Sequence, residues 1–504
     1  MKLAIAVGAI AALAGCLRHT SYQSCQTDAD CSGNHCESNH ACSVDDQDCP
    51  SGRRWHSSAP LAGQCVDGTS NPDAPMVVIP PGRECVQGLP LPATYSACAA
   101  KVDGKEARCG TEMWDAVCVR TAEVQCQMQC AQLAFVGTEM RAFVMRTRDD
   151  QVVWRDPLTD YEVVVGSAWA DYDNDGDPDL ATAGDGLLRI FKNEGYDDNA
   201  GTLVLTQVSS KSWSTISPQF PEFGGTDAQW VDYDHDGDLD AVFGGYAGLF
   251  VMRNDGGDVF LDQPPLLQTV ANIDGGDPIG ANVIRTAWGD ADDDGYPELA
   301  VVRFGKAPLF FHNDHGGTMT QASWGNGDPD FGGGVAWCNV DKDAAPELVL
   351  SGYSYVRIAD NVLGKPADQP VQLNNESGSD IECADFDGDG DLDLFVTGDD
   401  GVPSRAYTNG ATTIASFSES WRDTSANAMA GKTHQWNAPI GDLDGDHKLD
   451  AWGVGNAQDA PITYQPYPNA STTNKVQFTV PAPVVLTAEQ QSNRLMSFAP
   501  AIGH

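Results

Sequence analysis

The sequence predicts a mainly β chain in which a β-propeller follows two small disulfide-rich modules, and three observations carry that expectation. Short acidic loops of one pattern recur six times, about 54 residues apart. An Asn recurs 22 to 27 residues after each loop begins, at Asn193, Asn254, Asn313, Asn361, Asn409 and Asn469. From residue 131 onward the chain runs in short apolar stretches broken by Gly, Asn and Asp, with no sustained helical period.

Taken from the start, Lys2 precedes an apolar run from Leu3 to Leu13 that is too short to span a bilayer. It ends in Leu13-Ala14-Gly15-Cys16, which resembles the bacterial lipoprotein signal. The resemblance implies a signal peptide over 1–15, lipidation of Cys16, and a tether over 16–24. A plain secretory signal, with Cys16 opening a disulfide set, is the competing reading. Fifteen cysteines are an odd number, and setting Cys16 aside leaves fourteen, twelve of them between Cys25 and Cys130. Such density needs an oxidising compartment, so the expected location is exported, on the outer membrane or cell surface.

The twelve fall into two sixes, a module over 25–65 and another over 85–130, joined by a linker over 66–84. The first has too few apolar residues for a core, so bridges within it must hold it. Zinc fits less well, because close Cys-x-x-Cys pairs are missing. The second, around Trp114-Asp-Ala-Val-Cys118, is more apolar and resembles a cysteine-rich module found beside bacterial repeat domains. Residues 131–504 then form the repeat domain. Each period reads as strand, acidic loop, strand, turn, strand, turn and a variable fourth strand, which is one propeller blade.

The loops carry the chemistry. The first reads Asp171, Asp173, Asp175, Gly176, Asp177 and Asp179, the pattern D-x-D-x-D-G-x-x-D. It places side-chain oxygens at positions one, three, five and nine and a backbone carbonyl at position seven. Hard oxygen ligands in that number suit calcium over zinc or magnesium. The pattern returns as Asp232, Asp234, Asp236, Asp238 and Asp240, then as Asp290, Asp292, Asp294, Tyr296 and Glu298. It returns again as Asp385, Asp387, Asp389, Asp391 and Asp393, and finally as Asp442, Asp444, Asp446, Lys448 and Asp450, with His447 where Gly is expected. Position seven varies freely, as a carbonyl ligand should. The fourth copy, Asn339, Asp341, Asp343 and Glu347, carries Lys342 and Ala344, so five calcium sites are expected and the sixth is doubtful. An EF-hand would need a Glu at position twelve, where Thr182, Phe243, Val301, Val396 and Gly453 stand.

These repeats resemble the FG-GAP/VCBS family, the propeller repeats of integrin α subunits and of many exported bacterial proteins. The resemblance implies seven blades with calcium between the first two strands of a blade. The missing blade would be shared between Ala134 to Val165 and the tail after Val476, closing the ring.

With 72 acidic against 29 basic residues, nucleic acid and anionic lipid are repelled, so membrane contact is expected through the lipid anchor only. Trp169, Trp230, Trp288 and Trp337 share one repeat position and read as blade packing before a sugar platform. Cys338 and Cys383, a step apart in register, are expected as two buried thiols. His312 and His315 read as solvated turn residues. No catalytic constellation stands out, so the expected function is a calcium-binding surface module that adheres to an extracellular protein or glycan. A lectin and a polysaccharide-acting lyase are the alternatives.

Overall fold

The structure, a computed structural model, describes most of residues 83–481 with breaks at several loops, together with short strands at His35–Cys36, Cys42–Asp45, Arg53–Trp55, Val484–Val485 and Ala501–Gly503. The chain separates into two compact units, Met1–Val78 and Ile79–His504. Three short antiparallel strands make the described part of the first. The export segment, Cys16 and the bridging of Cys25 to Cys65 lie outside the described residues.

In the second unit seven antiparallel sheets follow one another as propeller blades. Blade one is Val164–Ala170, Asp179–Gly184, Leu187–Asp197 and Thr202–Ser212, paired in sequence order, with the first acidic loop between its first two strands. Blades two to five repeat the order, beginning at Gly225–Val231, Val283–Gly289, Gly332–Cys338 and Ile381–Ala384. Blade six is built around Asp450–Asn456. Strand Ala501–Gly503 pairs with Leu133–Val136, followed by Phe143–Arg146 and Gln151–Arg155. The seventh blade is therefore shared between the two ends of the repeat region, as expected, and the ring has no open edge there.

Burial follows position in the blade. Every residue of the second strands Asp179–Gly184, Asp240–Gly245 and Glu347–Gly352 is buried, because neighbouring blades cover both faces. Their sequences are accordingly runs of small and aliphatic residues without alternation. The outer strand Thr202–Ser212 is mostly exposed or half-buried. First strands approach so closely that a Cβ on Gly166 would lie 2.5 Å from the Asp227 backbone, and one on Gly334 2.4 Å from Ile381 N. Of the four in-register tryptophans, Trp169, Trp230 and Trp337 are buried between blades and Trp288 packs against the same kind of core. Trp230 stacks on Tyr172 of the preceding blade at 5.3 Å.

The recurring Asn is the clasp between blades. The side-chain amides of Asn254, Asn313, Asn361, Asn409 and Asn469 donate to the carbonyls of Tyr172, Tyr233, Ala291, Val340 and Phe386, each the second loop residue of the blade before. All five are buried, where an unmade hydrogen bond costs roughly 1–3 kcal/mol.

Residues 83–130 fold as a two-helix module. Helix α1, Ala97–Asp103, is capped by Ser96, whose Oγ accepts from Ala99 N. Helix α2, Ala116–Cys126, is capped by Asp115, which accepts from Val117 N and Cys118 N. Three disulfides, Cys85–Cys130, Cys98–Cys126 and Cys109–Cys118, stay within the second six. The module docks on the loop-bearing end of the propeller. Arg120 meets Glu382 at 2.8 Å and donates to Cys383 O, while Glu123 accepts from Asp442 N. Val117 joins the core that blades four and five share, and Val124 packs against the core of blades five and six.

Cys338 and Cys383 correct the expectation of two thiols, since they form a disulfide with Cα atoms 6.4 Å apart. The register argument applies within one sheet. These residues lie on first strands of adjacent blades, whose faces turn toward each other.

Candidate metal centres

Each acidic loop is a nest of backbone amides folded onto its own carboxylates. In loop one Asp175 N and Gly176 N donate to the two oxygens of Asp171 at 2.9 and 3.0 Å. Loops two and three repeat this at Asp232 and Asp290. In loops five and six the donors to Asp385 and Asp442 are the residues at positions four and six, Gly388 and Gly390, then Gly445 and His447. Position six needs positive φ, 102° at Gly176 and 93° at Gly390, and His447 takes up the same turn at 66°. The missing Gly therefore leaves loop six intact.

Position nine ties the two sequence markers together. Asp179 accepts from Tyr172 N at 3.1 Å and from the marker Asn193 N at 2.8 Å. Asp393 and Asp450 do the same with Phe386 and Asn409, and with Leu443 and Asn469. One carboxylate thus fixes loop, second strand and clasp.

Ligand atoms of Asp171, Asp173 and Asp179 lie within 4.8 Å of one another, as do those of Asp232, Asp234 and Asp240, of Asp290, Asp292 and Asp294, and of Asp341, Asp343 and Glu347. Burial and the neighbouring carboxylates push these groups up: Asp236, Asp290 and Asp450 to about 7, Glu347 to about 8, Glu298 and Asp393 to about 9, and Asp240 to about 10. Asp179 and Asp232 are raised well above the carboxylate range for the same reasons. Asp240 gives the sharpest test of fit. It is wholly buried, Oδ1 accepts from Asn254 N at 2.8 Å, and Oδ2 has no hydrogen-bond partner among the described residues. A buried carboxylate oxygen left this way is costly unless a proton or a cation meets it. With the position-three oxygens Asp234 Oδ1 and Asp387 Oδ2 also without a hydrogen-bond partner among the described residues, the donor set fits a hard divalent ion.

The doubtful fourth loop keeps part of the geometry, with Asn339 Nδ2 donating to Asp343 O where the other copies have amides donating to an Asp. Lys342 turns out of its own loop to pair with Asp391 of loop five, and Val340 N donates to Glu347 as the corresponding residue does in loops one, three, five and six. The backbone at Lys342 has φ 64°, matching Asn174 and His235 at the same loop position.

Sequence reasoning missed the residues one before the marker Asn, which lie beside the loops. Lys192 pairs with Asp173 and lies 3.7 Å from Asp175. His312 is a strand residue with Nδ1 3.1 Å from Glu298 and 3.6 Å from Asp292, which corrects its reading as a turn residue. His315 lies outside the described residues. At loop one a further cation comes from the module: Arg83 Nε is 3.2 Å from Asp171, and both are buried.

The first strands also line an axial cavity of about 300 Å³, to whose wall Arg108, Asp115 and Arg120 of the module and Asp227, Arg285 and Glu382 contribute.

Residues 171–243 match the FG-GAP-like repeat family, and residues 82–130 match a domain family of unknown function. No curated protein matches the chain. Among solved structures, a lectin from Agrocybe aegerita that recognises non-reducing terminal N-acetylglucosamine is 17% identical, over 70% of this chain and 90% of its own, with a TM-score of 0.44. A candidate 6-phosphogluconolactonase from Bacteroides uniformis is 12% identical, over 71% of this chain and 97% of its own, with a TM-score of 0.43.

Proposed function

We propose that this seven-bladed propeller of FG-GAP-like repeats is an exported binding module for an extracellular protein or glycan, lipid-anchored through Cys16 at the cell surface, with calcium in its acidic loops holding the ring rigid. The observation that carries the calcium reading is the buried, unpartnered Oδ2 of Asp240 beside Asp232 and Asp234. The same positions in loops one, three, five and six, Asp171 to Asp179, Asp290 to Glu298, Asp385 to Asp393 and Asp442 to Asp450, would hold the ion with a position-seven carbonyl. Loop four, with Asn339, Asp341, Asp343 and Glu347, is a sixth candidate. Bound calcium supplies charge that offsets the mutual repulsion of the carboxylates. The chain's own part is to orient those carboxylates through backbone amides and to lock each loop to the next blade through the Asn clasp.

A binding role is supported over a catalytic one by the axial cavity, where charged groups serve structural pairs. Arg108 pairs with Asp115 at 2.8 Å, Arg120 with Glu382 at 2.8 Å, and Asp227 accepts from the Thr286 backbone and hydroxyl. Arrays of glycans and surface proteins, probed with the full chain in millimolar calcium and after calcium removal, test the reading. Calcium-dependent retention of one ligand class is expected. Turnover of a retained polysaccharide would replace the reading with the lyase alternative.

A further inference from the structure

Loop one is met by two cations from elsewhere in the chain, one of them fully buried against it. Arg83 Nε lies 3.2 Å from Asp171 Oδ2, with side chains 2% and 0% exposed, and Arg83 Nη1 donates to Asn174 Oδ1 at 3.0 Å. From the other side Lys192 pairs with Asp173 and reaches toward Asp175, positions three and five of the ligand pattern. The module's backbone adds a third contact, Asp171 N donating to Gln87 O at 2.9 Å.

The copies lack this arrangement. At the position of Lys192, blade two has Arg253, which bonds to Asp255 at 2.6 Å and acts on Asp234 and Asp236 only through space. Blade three has His312 there, beside Glu298 and Asp292, and blade five has Thr408, which bonds to Ser420. Blade six has Pro468 there. Loop two keeps five acidic side chains, and the Asp240 Oδ2 that lacks a partner belongs to it.

We propose that loop one, one of the points where the 83–130 module docks, is neutralised by Arg83 and Lys192 and therefore binds calcium more weakly than loop two. Two fixed cations a few ångströms from the ligand oxygens oppose a divalent ion directly, and the buried one is little screened by salt. Docking and calcium entry at this loop then compete, so high calcium loosens the module's hold while the other loops are already filled. This rests on the calcium reading above, and the test separates the two.

The experiment is a calcium titration of the full chain by calorimetry, with native mass spectrometry for stoichiometry, on the wild type, Lys192→Gln, and Lys192→Gln combined with Asp173→Asn. The first variant is expected to tighten the weakest binding step by roughly tenfold, and the second to lose that gain. Hydrogen exchange over residues 83–91 in the wild type, the stretch that meets loop one, is expected to rise only when calcium reaches the weakest step. Arg83→Lys, which keeps the charge, should keep that protection, and Arg83→Gln should lower it even without calcium. Calcium binding that Lys192→Gln leaves unchanged at every step would overturn the proposal while sparing the calcium reading. No calcium binding by any of the proteins would overturn both.

Discussion

The 83–130 module and the ring of blades hold themselves together by different means. The module is small, and three disulfides close short stretches of its chain around Trp114, Leu91 and Val119. Its bridges act regardless of metal or pH. Six of the seven blades carry a loop of carboxylates that repel one another and are withdrawn from water. On the calcium reading the ring depends chiefly on what fills its loops, with the Cys338–Cys383 bridge joining blades four and five, and the module depends on its redox state. A cell exterior, oxidising and supplied with calcium, would favour both.

Reduction should separate the two most sharply. Removing a native bridge from a domain this small typically costs 2–5 kcal/mol, so reductant in the presence of calcium is expected to unfold residues 83–130 first. Hydrogen exchange would show protection lost over α1 and α2 while Asp179–Gly184 and Glu347–Gly352 stay protected. Simultaneous loss in both would mean that the blades depend on the module.

A pH series on calcium-stripped protein should act mostly on the ring, where the raised carboxyl groups gather. Glu298 and Asp240, pushed up to about 9 and about 10, hold protons in the folded state that an unfolded chain releases near pH 4. The folded form binds more protons across that window, so its stability falls as pH rises from about 4 to 9. The stripped protein is expected to melt higher at pH 5 than at pH 8, and added calcium to reverse the order. A stripped protein that is most stable at pH 8 would contradict the burial of these groups.

Smaller effects should follow single contacts. Asn469→Ala removes the buried clasp to Phe386 O and Leu449 O and should cost about 1–3 kcal/mol, measured by denaturant unfolding in calcium. Asn361→Ala should cost a comparable amount at blade four, where a negligible change would show that the clasp is dispensable beside a degenerate loop.

The period, the loops and the marker Asn were legible in the sequence because each is local, a fixed offset within one blade. Ring closure followed from counting periods against length. What lay out of reach depended on neighbours distant in the chain. The Cys338–Cys383 bridge joins two blades and so escapes strand parity. The residue before the marker Asn is Lys192, Arg253, His312, Asp360, Thr408 or Pro468, and such variety conceals that four of them carry titratable side chains that act on the loops. Arg83 meets Asp171 from 88 residues upstream, through a module whose docking no repeat pattern announces.

The most direct test of the central claim is thermal melting of the full chain, followed by the blade tryptophans, in millimolar calcium and after calcium removal. Each filled site adds about 2.7 kcal/mol at a hundredfold excess over its dissociation constant, so several sites together should raise the melting temperature by well over 10 °C. Magnesium at the same concentration should recover only a small part of that gain. Identical melting curves with and without calcium would contradict the account, because the loops would then be stable by their backbone amides and internal cations alone.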